Sequence, residues 1–369
     1  MNRPPLSVCI VGAGGISRQH ARACREAEGV ALTAVCDISR EAADRFGEQW
    51  DVPPARRYVS LDALLEAEAP DIAVIATWGV THAETGIRLA RSGRVRAILC
   101  EKPFTSTGEE AERLVAAAHE HGVLLTEGFK FRHHPAHLAL KARLDSGAVG
   151  ELVTVRSMFC QSSSPEARRP EANWRWDSAR GGGSIYNLGC YGIHQVRSVF
   201  GVEPVRVFAA AQIEGTVDIA ASVQLVFPAV SGQQGERAAL IQVGHDQWRA
   251  HYVEVTGTTG MLRLENPWNN EDQPVSLVQQ TAAGTTTTDF PAVFQFTDQL
   301  RHLAECLATG RPLRVPPENS IAQMRVIDAV FESIRTGQAV TLHPAGASLP
   351  AGSAVPNGHA KSAPTVAAG

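Results

Sequence analysis

The chain has 369 residues, 44% of them apolar, with 34 Lys+Arg against 38 Asp+Glu and a net charge of -4. That length is more than one ordinary core needs and points to two domains, while the composition excludes fibrous, disordered and membrane-spanning classes. With no basic field for a phosphate backbone and no apolar run near the roughly 20 residues a bilayer requires, neither nucleic acid nor a membrane is expected as a partner.

Short β-branched runs at 7–11, 32–36, 72–76, 97–100 and 123–126 alternate with helix-period stretches such as 19–27, 41–49 and 109–121. This rhythm predicts a doubly wound parallel sheet covered on both faces, here over residues 1–127. After Gly150 the pattern changes to two-residue alternation, first around Leu152 to Ser157 and again near Val205, Ser222, Leu240, Val253 and Leu262. A large open antiparallel sheet with one solvated face follows from it. A helical insertion at 184–199 and two helices at 293–308 and 320–336 complete a second α/β domain over 128–344. Residues 345–369 are dominated by Ala, Gly, Pro and Ser, a composition expected to stay disordered. The N-terminus enters a strand without a leader segment, which predicts a cytoplasmic protein. Seven cysteines include no C-x-x-C pair, so neither a disulfide framework nor a zinc site is expected.

The first strand runs into Gly12-Ala13-Gly14-Gly15-Ile16-Ser17 and then a helix. Gly12 permits the tight turn, Gly14 lets the backbone approach a pyrophosphate, and the free amides of the new helix face its charge. Ser17 stands where the fingerprint has Gly or Ala. Asp37 closes the second strand, placed to bond the ribose hydroxyls of a dinucleotide. Two further strand ends carry Thr77-Trp78-Gly79-Val80-Thr81-His82 and Cys100-Glu101-Lys102-Pro103-Phe104. Ligands bind at the carboxyl ends of such strands, where the Lys102 ammonium can position a substrate hydroxyl. His133, His134 and His137 crowd one helix start without a fourth ligand, so no metal is expected. Arg168, Arg169, Arg175 and Arg180, in a loop, are read as solvated rather than as an anion clamp.

Together with Glu127-Gly128-Phe129, Arg132-His133-His134-Pro135 and Gly181-Gly182-Gly183-Ser184, these motifs resemble the Gfo/Idh/MocA oxidoreductases from about residue 7 to 343. The Arg132 to Pro135 segment and Asn173-Trp174-Arg175-Trp176-Asp177 resemble the branch containing glucose-fructose oxidoreductase, xylose dehydrogenase and dihydrodiol dehydrogenase. The resemblance implies a Rossmann domain followed by an α/β domain whose open sheet forms a homodimer or homotetramer. It also implies hydride transfer between a nicotinamide and a carbinol carbon of a sugar or cyclitol. On it, Gly12, Gly14, Gly15, Ile16, Asp37, Thr77, His82, Glu101 and Lys102 hold the cofactor, NAD with NADP admitted. Lys102, Tyr191 and Asn187 become catalytic, and Arg132, Trp174, Asn187, Tyr191 and His194 contact substrate. Asn187 stands where relatives carry aspartate, and His194 also departs from the pattern.

Asn187, Tyr191 and His194 fall at i, i+4 and i+7, so one helix presents all three along a stripe. A tyrosine of pKa ~10 is a poor base at neutral pH, and a nearby Lys102 ammonium is expected to favour its phenolate. A neutral amide at 187 is expected to leave Lys102 easier to deprotonate than a carboxylate would. Two alternatives stay open: a dihydrodiol dehydrogenase-like enzyme, and a dinucleotide-binding regulator with reduced catalysis.

Overall fold

The computed structural model of the chain describes residues 4–229 and 235–342. In its first third the apolar runs become β1 (Leu6–Val11), β2 (Val30–Cys36), β3 (Arg57–Tyr58), β4 (Ile72–Ile75), β5 (Ala97–Cys100) and β6 (Leu124–Glu127). All are parallel neighbours in the order β3-β2-β1-β4-β5-β6. Burial of both faces explains why β4 and β5 show no alternation: every one of their residues is buried. The connecting helices are α1 (Ser17–Glu26), α2 (Arg40–Gln49), α3 (Leu61–Ala67), α4 (His82–Arg91) and α5 (Gly108–Glu120). The two-residue edge strand β3 is too short to leave a periodic signal. Strand order reverses between β1 and β4, which opens a crevice at their carboxyl ends.

Then α6 (Pro135–Asp145), β7 (Leu152–Ser162) and α7 (Cys190–Phe200) lead into β8 (Arg206–Glu214), β9 (Val217–Phe227), β10 (Arg237–Gly244), β11 (Asp246–Gly257), β12 (Gly260–Glu265), β13 (Val275–Thr281) and β14 (Gly284–Phe290). α8 (Gln295–Thr309), α9 (Pro317–Thr336) and β15 (Val340–Thr341) follow. The nine strands order as β14-β13-β12-β11-β7-β10-β9-β8-β15. The sheet expected to be antiparallel is mixed, because β7 and β10 pair in parallel. Side chains alternate with the same period in both arrangements, so the sequence pattern could not separate them.

Cross-strand register puts Ala209, Val223, Ile241, Ser157, Val253, Leu264 and Leu277 in one buried row, with α9 lying on β8, α7 on β10 and β7, and α6 on β12 and β13. The opposite face carries Phe208, Gln224, Leu240, Arg156, Glu254 and Arg263 in register. A Cβ on Gly192 would lie 2.8 Å from Ile241 Cγ2 and 2.9 Å from Ser157 Oγ, so a glycine lets α7 sit directly on the inner row. That contact fixes the height of the residues just before it.

α8 and α9, expected in the second domain, lie against helices of the first. Phe296, Leu300 and Leu303 of α8 join Val8, Ile10, Ala21 and Cys24 in one core. Asp328 of α9 accepts from the Gly108 amide at 2.7 Å, at the start of α5. The tail at 345–369 lies outside the described residues.

Candidate active site

At the β1–α1 turn Gly12 has φ +99°, and a Cβ there would stand 2.7 Å from the Ala76 carbonyl oxygen, so only glycine fits. A Cβ on Gly14 or Gly15 would meet nothing within 4 Å: their backbone fronts open space. The first turn of α1 holds no acidic side chain, which leaves its amides and the positive end of the helix for an anion. Ser17, the departure from the fingerprint, is buried and donates its hydroxyl to the Gly14 carbonyl, tying loop to helix. Asp37 accepts from the Ala13 amide at 2.7 Å and from the Ser39 amide at 2.8 Å, which aligns its carboxylate along the loop. These features fit a dinucleotide, with the pyrophosphate on Gly14 to Ile16 and the adenosine ribose at Asp37.

The other strand-end residues divide. Thr77, half-buried, shares a 2.8 Å hydroxyl hydrogen bond with Thr81 at the crevice. His82 is buried, with Nδ1 2.9 Å from the Pro103 carbonyl and Nε2 3.1 Å from that of Thr77. Both nitrogens face protein carbonyls and the neutral ring donates to one of them, so His82 braces two turns from below. Glu101 is also turned inward, 2.7 Å from His20 Nε2 of α1. Burial pushes its carboxyl up, but His20 and Lys102 outweigh that and hold it below the usual range. Both belong to the support of the site rather than to its surface.

A π-helical turn, Ile185–Gly189, precedes α7. Asp218 of β9 fixes its start, accepting from Ser184 Oγ and the Ile185 amide, each at 2.7 Å. Turns of this kind re-aim side chains relative to an α-helix and recur at functional sites. Here the turn delivers Asn187 to Lys102, whose ammonium donates to the Asn187 main-chain oxygen at 3.0 Å and lies 3.4 Å from Oδ1. The same ammonium stands 5.0 Å from the centroid of the Tyr191 ring. Lys102, after β5, and Asn187 and Tyr191, on the π-helical turn and α7, are thus brought together.

His194 is not. Its Nε2 accepts from Arg132 at 2.8 Å and its ring packs on Phe129 at 4.0 Å between centroids. Burial, with the charges of Arg132 and Arg197, pushes it well below the ordinary imidazole range. The expected stripe ends at Tyr191: His194 turns Nε2 to Arg132, and its buried Nδ1 has no hydrogen-bond partner among the described residues. Among the clustered histidines, His133 accepts from Arg314 at 2.9 Å, and His137 has one nitrogen 2.8 Å from Gln195 and the other 2.8 Å from the Pro267 carbonyl.

One residue that the sequence did not single out, and one that it read as solvated, complete the group. His245, at the β10–β11 bend, lies 3.4 Å from Asn187 Nδ2 through Nε2 and 3.0 Å from the Gln161 amide through Nδ1. Burial, with the Arg175 and Lys102 cations, pushes it down to about 4, so the ring is neutral. An ammonium only donates, so Asn187 turns its oxygen to Lys102 and its NH2 to His245 Nε2, which leaves the imidazole proton on Nδ1. Arg175, read from sequence as solvated, is half-buried, and its buried Nε finds no partner among the described residues. Its guanidinium stacks 4.9 Å over Trp174 and acts electrostatically on Tyr191.

The expectation of a phenolate fails. Burial pushes Tyr191 well above the ordinary phenol range, aided by Cys190 and Glu101, and Arg175 offsets only part of this. Lys102 faces the ring rather than the oxygen. The site therefore holds a protonated phenol, and its hydroxyl takes no protein hydrogen bond among the described residues.

Residues 6–129 match the oxidoreductase family with an NAD-binding Rossmann fold, and residues 137–263 the GFO/IDH/MocA C-terminal domain. The chain is 31% identical over 340 residues to dTDP-3,4-didehydro-2,6-dideoxy-alpha-D-glucose 3-reductase of Actinomadura kijaniata, covering 91% of this chain and 96% of that one. It is 28% identical to D-xylose 1-dehydrogenase (NADP(+)) 2 of Haloferax volcanii, covering 90% and 98%. The crystal structure of aldose-aldose oxidoreductase from Caulobacter crescentus, complexed with glycerol, superposes with a TM-score of 0.82 at 27% identity, over 92% of this chain and all of that one.

Proposed function

The chain belongs to the Gfo/Idh/MocA oxidoreductases, and from that membership we propose that it moves a hydride between a nicotinamide dinucleotide and a hydroxyl- or keto-bearing carbon of a sugar, cyclitol or related polyol. The observation that carries this is the Lys102 ammonium, held on Asn187 and over Tyr191 at the carboxyl end of β5. Gly12 to Ile16, Asp37 and Thr77 bind the dinucleotide, and Trp174 and Arg175 wall the substrate side. The bound nicotinamide gives or takes the hydride.

Lys102 orients the substrate oxygen by hydrogen bonding. Tyr191, protonated and without a protein partner, gives its proton to that oxygen as a keto group becomes an alcohol. The Arg175 cation offsets part of the charge on the phenolate left behind, and the reverse step returns the proton. This protonation state suits the reducing direction. We further assign oligomer assembly to the outer sheet face, where Phe208 and Leu240 are 45% and 46% exposed. A cytoplasmic location accords with seven unpaired cysteines.

The test is a panel of aldoses, keto sugars, inositols and diols with oxidised and reduced cofactor, read at the nicotinamide absorbance. Turnover of at least one polyol or keto sugar, abolished in Lys102→Met, is the expected result. Turnover that survives that substitution would reject the assignment.

A further inference from the structure

Between α6 and α7 lies a cavity of about 100 Å³ lined by Arg132, Arg314, Lys141, Gln195 and Ser198 together with leucines of α6. We propose that this cavity binds a tetrahedral oxyanion of the phosphate class, held between the guanidinium groups of Arg132 and Arg314. It lies along α7 beyond the turn that meets Lys102, and none of Lys102, Asn187 and Tyr191 lines it.

The case starts from charge. Arg132 donates to His194 at 2.8 Å and Arg314 to His133 at 2.9 Å, and neither has a carboxylate within ion-pair distance among the described residues. The carboxylates that act on Arg314, those of Asp298 and Glu305, are taken at 2.7 Å by Arg301 and Arg311. Arg197, a third cation acting on Arg132, is neutralised by Glu203 at 2.6 and 2.7 Å. Lys141 pairs with Asp145. Two positive charges are therefore left facing one cavity.

Their imidazole partners cannot balance them. Burial pushes His133 and His194 well below the usual range, so each is a neutral acceptor. The cost shows at Arg132, which burial and the charge of Arg314 push down to about 10. Both guanidinium groups are half-buried, and like charges held close without counterions repel, so an anion between them relieves that repulsion. Planar guanidinium forks match tetrahedral oxyanions in paired hydrogen bonds. The Ser198 hydroxyl adds a neutral donor at the wall. The volume admits one oxyanion group and not a nucleotide.

The experiment uses the holoenzyme saturated with dinucleotide, so that the glycine loop offers no competing anion site. Inorganic phosphate is titrated by calorimetry, and thermal unfolding is followed in parallel. Wild type should bind phosphate and gain Tm, and Arg314→Met should bind about tenfold more weakly or worse, the scale of one charge-assisted pair. Arg206→Met removes the same charge from an exposed arginine paired with Glu236, neither of which acts on Arg132 or Arg314, and should bind as wild type does. A glycerol phosphate arm separates the sources: equal affinity means the free ion suffices, whereas tighter binding means a phosphate ester, and either supports the site. Should Arg314→Met fail to fold, protection of Arg132 and Arg314 from phenylglyoxal by phosphate in wild type, read by peptide mass, decides it. Absence of phosphate binding, equal binding by Arg314→Met, or no protection would overturn the proposal.

Discussion

The Lys102 ammonium donates to the main-chain carbonyl of Asn187 at 3.0 Å, a bond that spans 85 residues of sequence and joins the end of β5 to the turn before α7. Lys102→Met keeps the stem and removes the donor. Turnover should fall by ~10² or more, the scale of positioned acid/base groups, while dinucleotide affinity in a fluorescence titration stays near wild type. A parallel loss of cofactor binding would place Lys102 on the pyrophosphate instead.

Tyr191 is packed by Phe129, Phe131 and Phe159 at 5.6 to 5.9 Å between ring centroids, so Tyr191→Phe keeps the packing and removes only the oxygen. Rates should drop by ~10²–10⁴ with little change in Tm. Because burial raises the phenol, loss of its proton should not limit keto reduction below about pH 10. A wild-type rate that collapses between pH 7 and 9 in step with Tyr191 ionisation, absent from the Phe variant, would contradict this.

Asp37 should make NAD preferred, since a carboxylate bonds a ribose diol and repels a 2′-phosphate. The Haloferax relative carries NADP(+) in its name, which makes the comparison informative. Arg40 donates to the Arg57 carbonyl at 2.8 Å rather than to Asp37 and does not soften that repulsion from where it stands. Equilibrium titration of both dinucleotides checks it, with Asp37→Ser expected to close the gap; tighter NADP binding by wild type would reverse the assignment.

Asn187→Asp replaces an amide between a cation and a neutral imidazole by a carboxylate. The new charge favours protonated His245, now pushed down to about 4, as well as the Lys102 cation. The acid limb of the rate profile should move to higher pH and substrate ranking should change, with cofactor affinity intact. Superimposable profiles and rankings would show that position 187 is only packing.

Glu127, at the end of β6, is fully buried with neither carboxyl oxygen hydrogen-bonded among the described residues. Burial pushes it up to about 8 against the opposing pull of Ser320 and Arg197. The folded chain thus keeps a proton that the unfolded chain releases above about pH 4.5, so this contribution to stability is full below that pH and lost as pH rises through about 8. Glu127→Gln should remove the loss, worth on the order of a few kcal/mol, and its Tm advantage over wild type should widen from pH 5 to pH 8.5. An equal difference at both ends would refute the linkage.

What was legible in the sequence is what chemistry writes locally. Gly12, Gly14 and Asp37 lie at strand ends within one β-α-β unit, and the Lys102 motif closes another strand. The site's far wall was not legible: His245 and Arg175 reach Asn187 and Tyr191 only through the second sheet and the loop before the glycine run. Nor does a sequence reveal whether a polar group faces ligand or protein. His82, Glu101 and His194 carry the right chemistry at the right spacing, yet they are turned toward Pro103, His20 and Arg132. Tyr191 shows the same limit in energetic form, because a neighbouring cation was foreseeable and the depth of burial that outweighs it was not.

The return of α8 and α9 to the first sheet governs how the gene can be cut. A chimera joined at 127/128 would graft a foreign α8 onto α1 and a foreign α9 onto α5, stripping Phe296, Leu300 and Leu303 from the core they share with Val8 and Ile10. Recombinants that keep residues 295–336 with their own nucleotide half preserve those seams, and must match the exchanged segment to α9, which also holds β8 through Ser333 and α7 through Gln323.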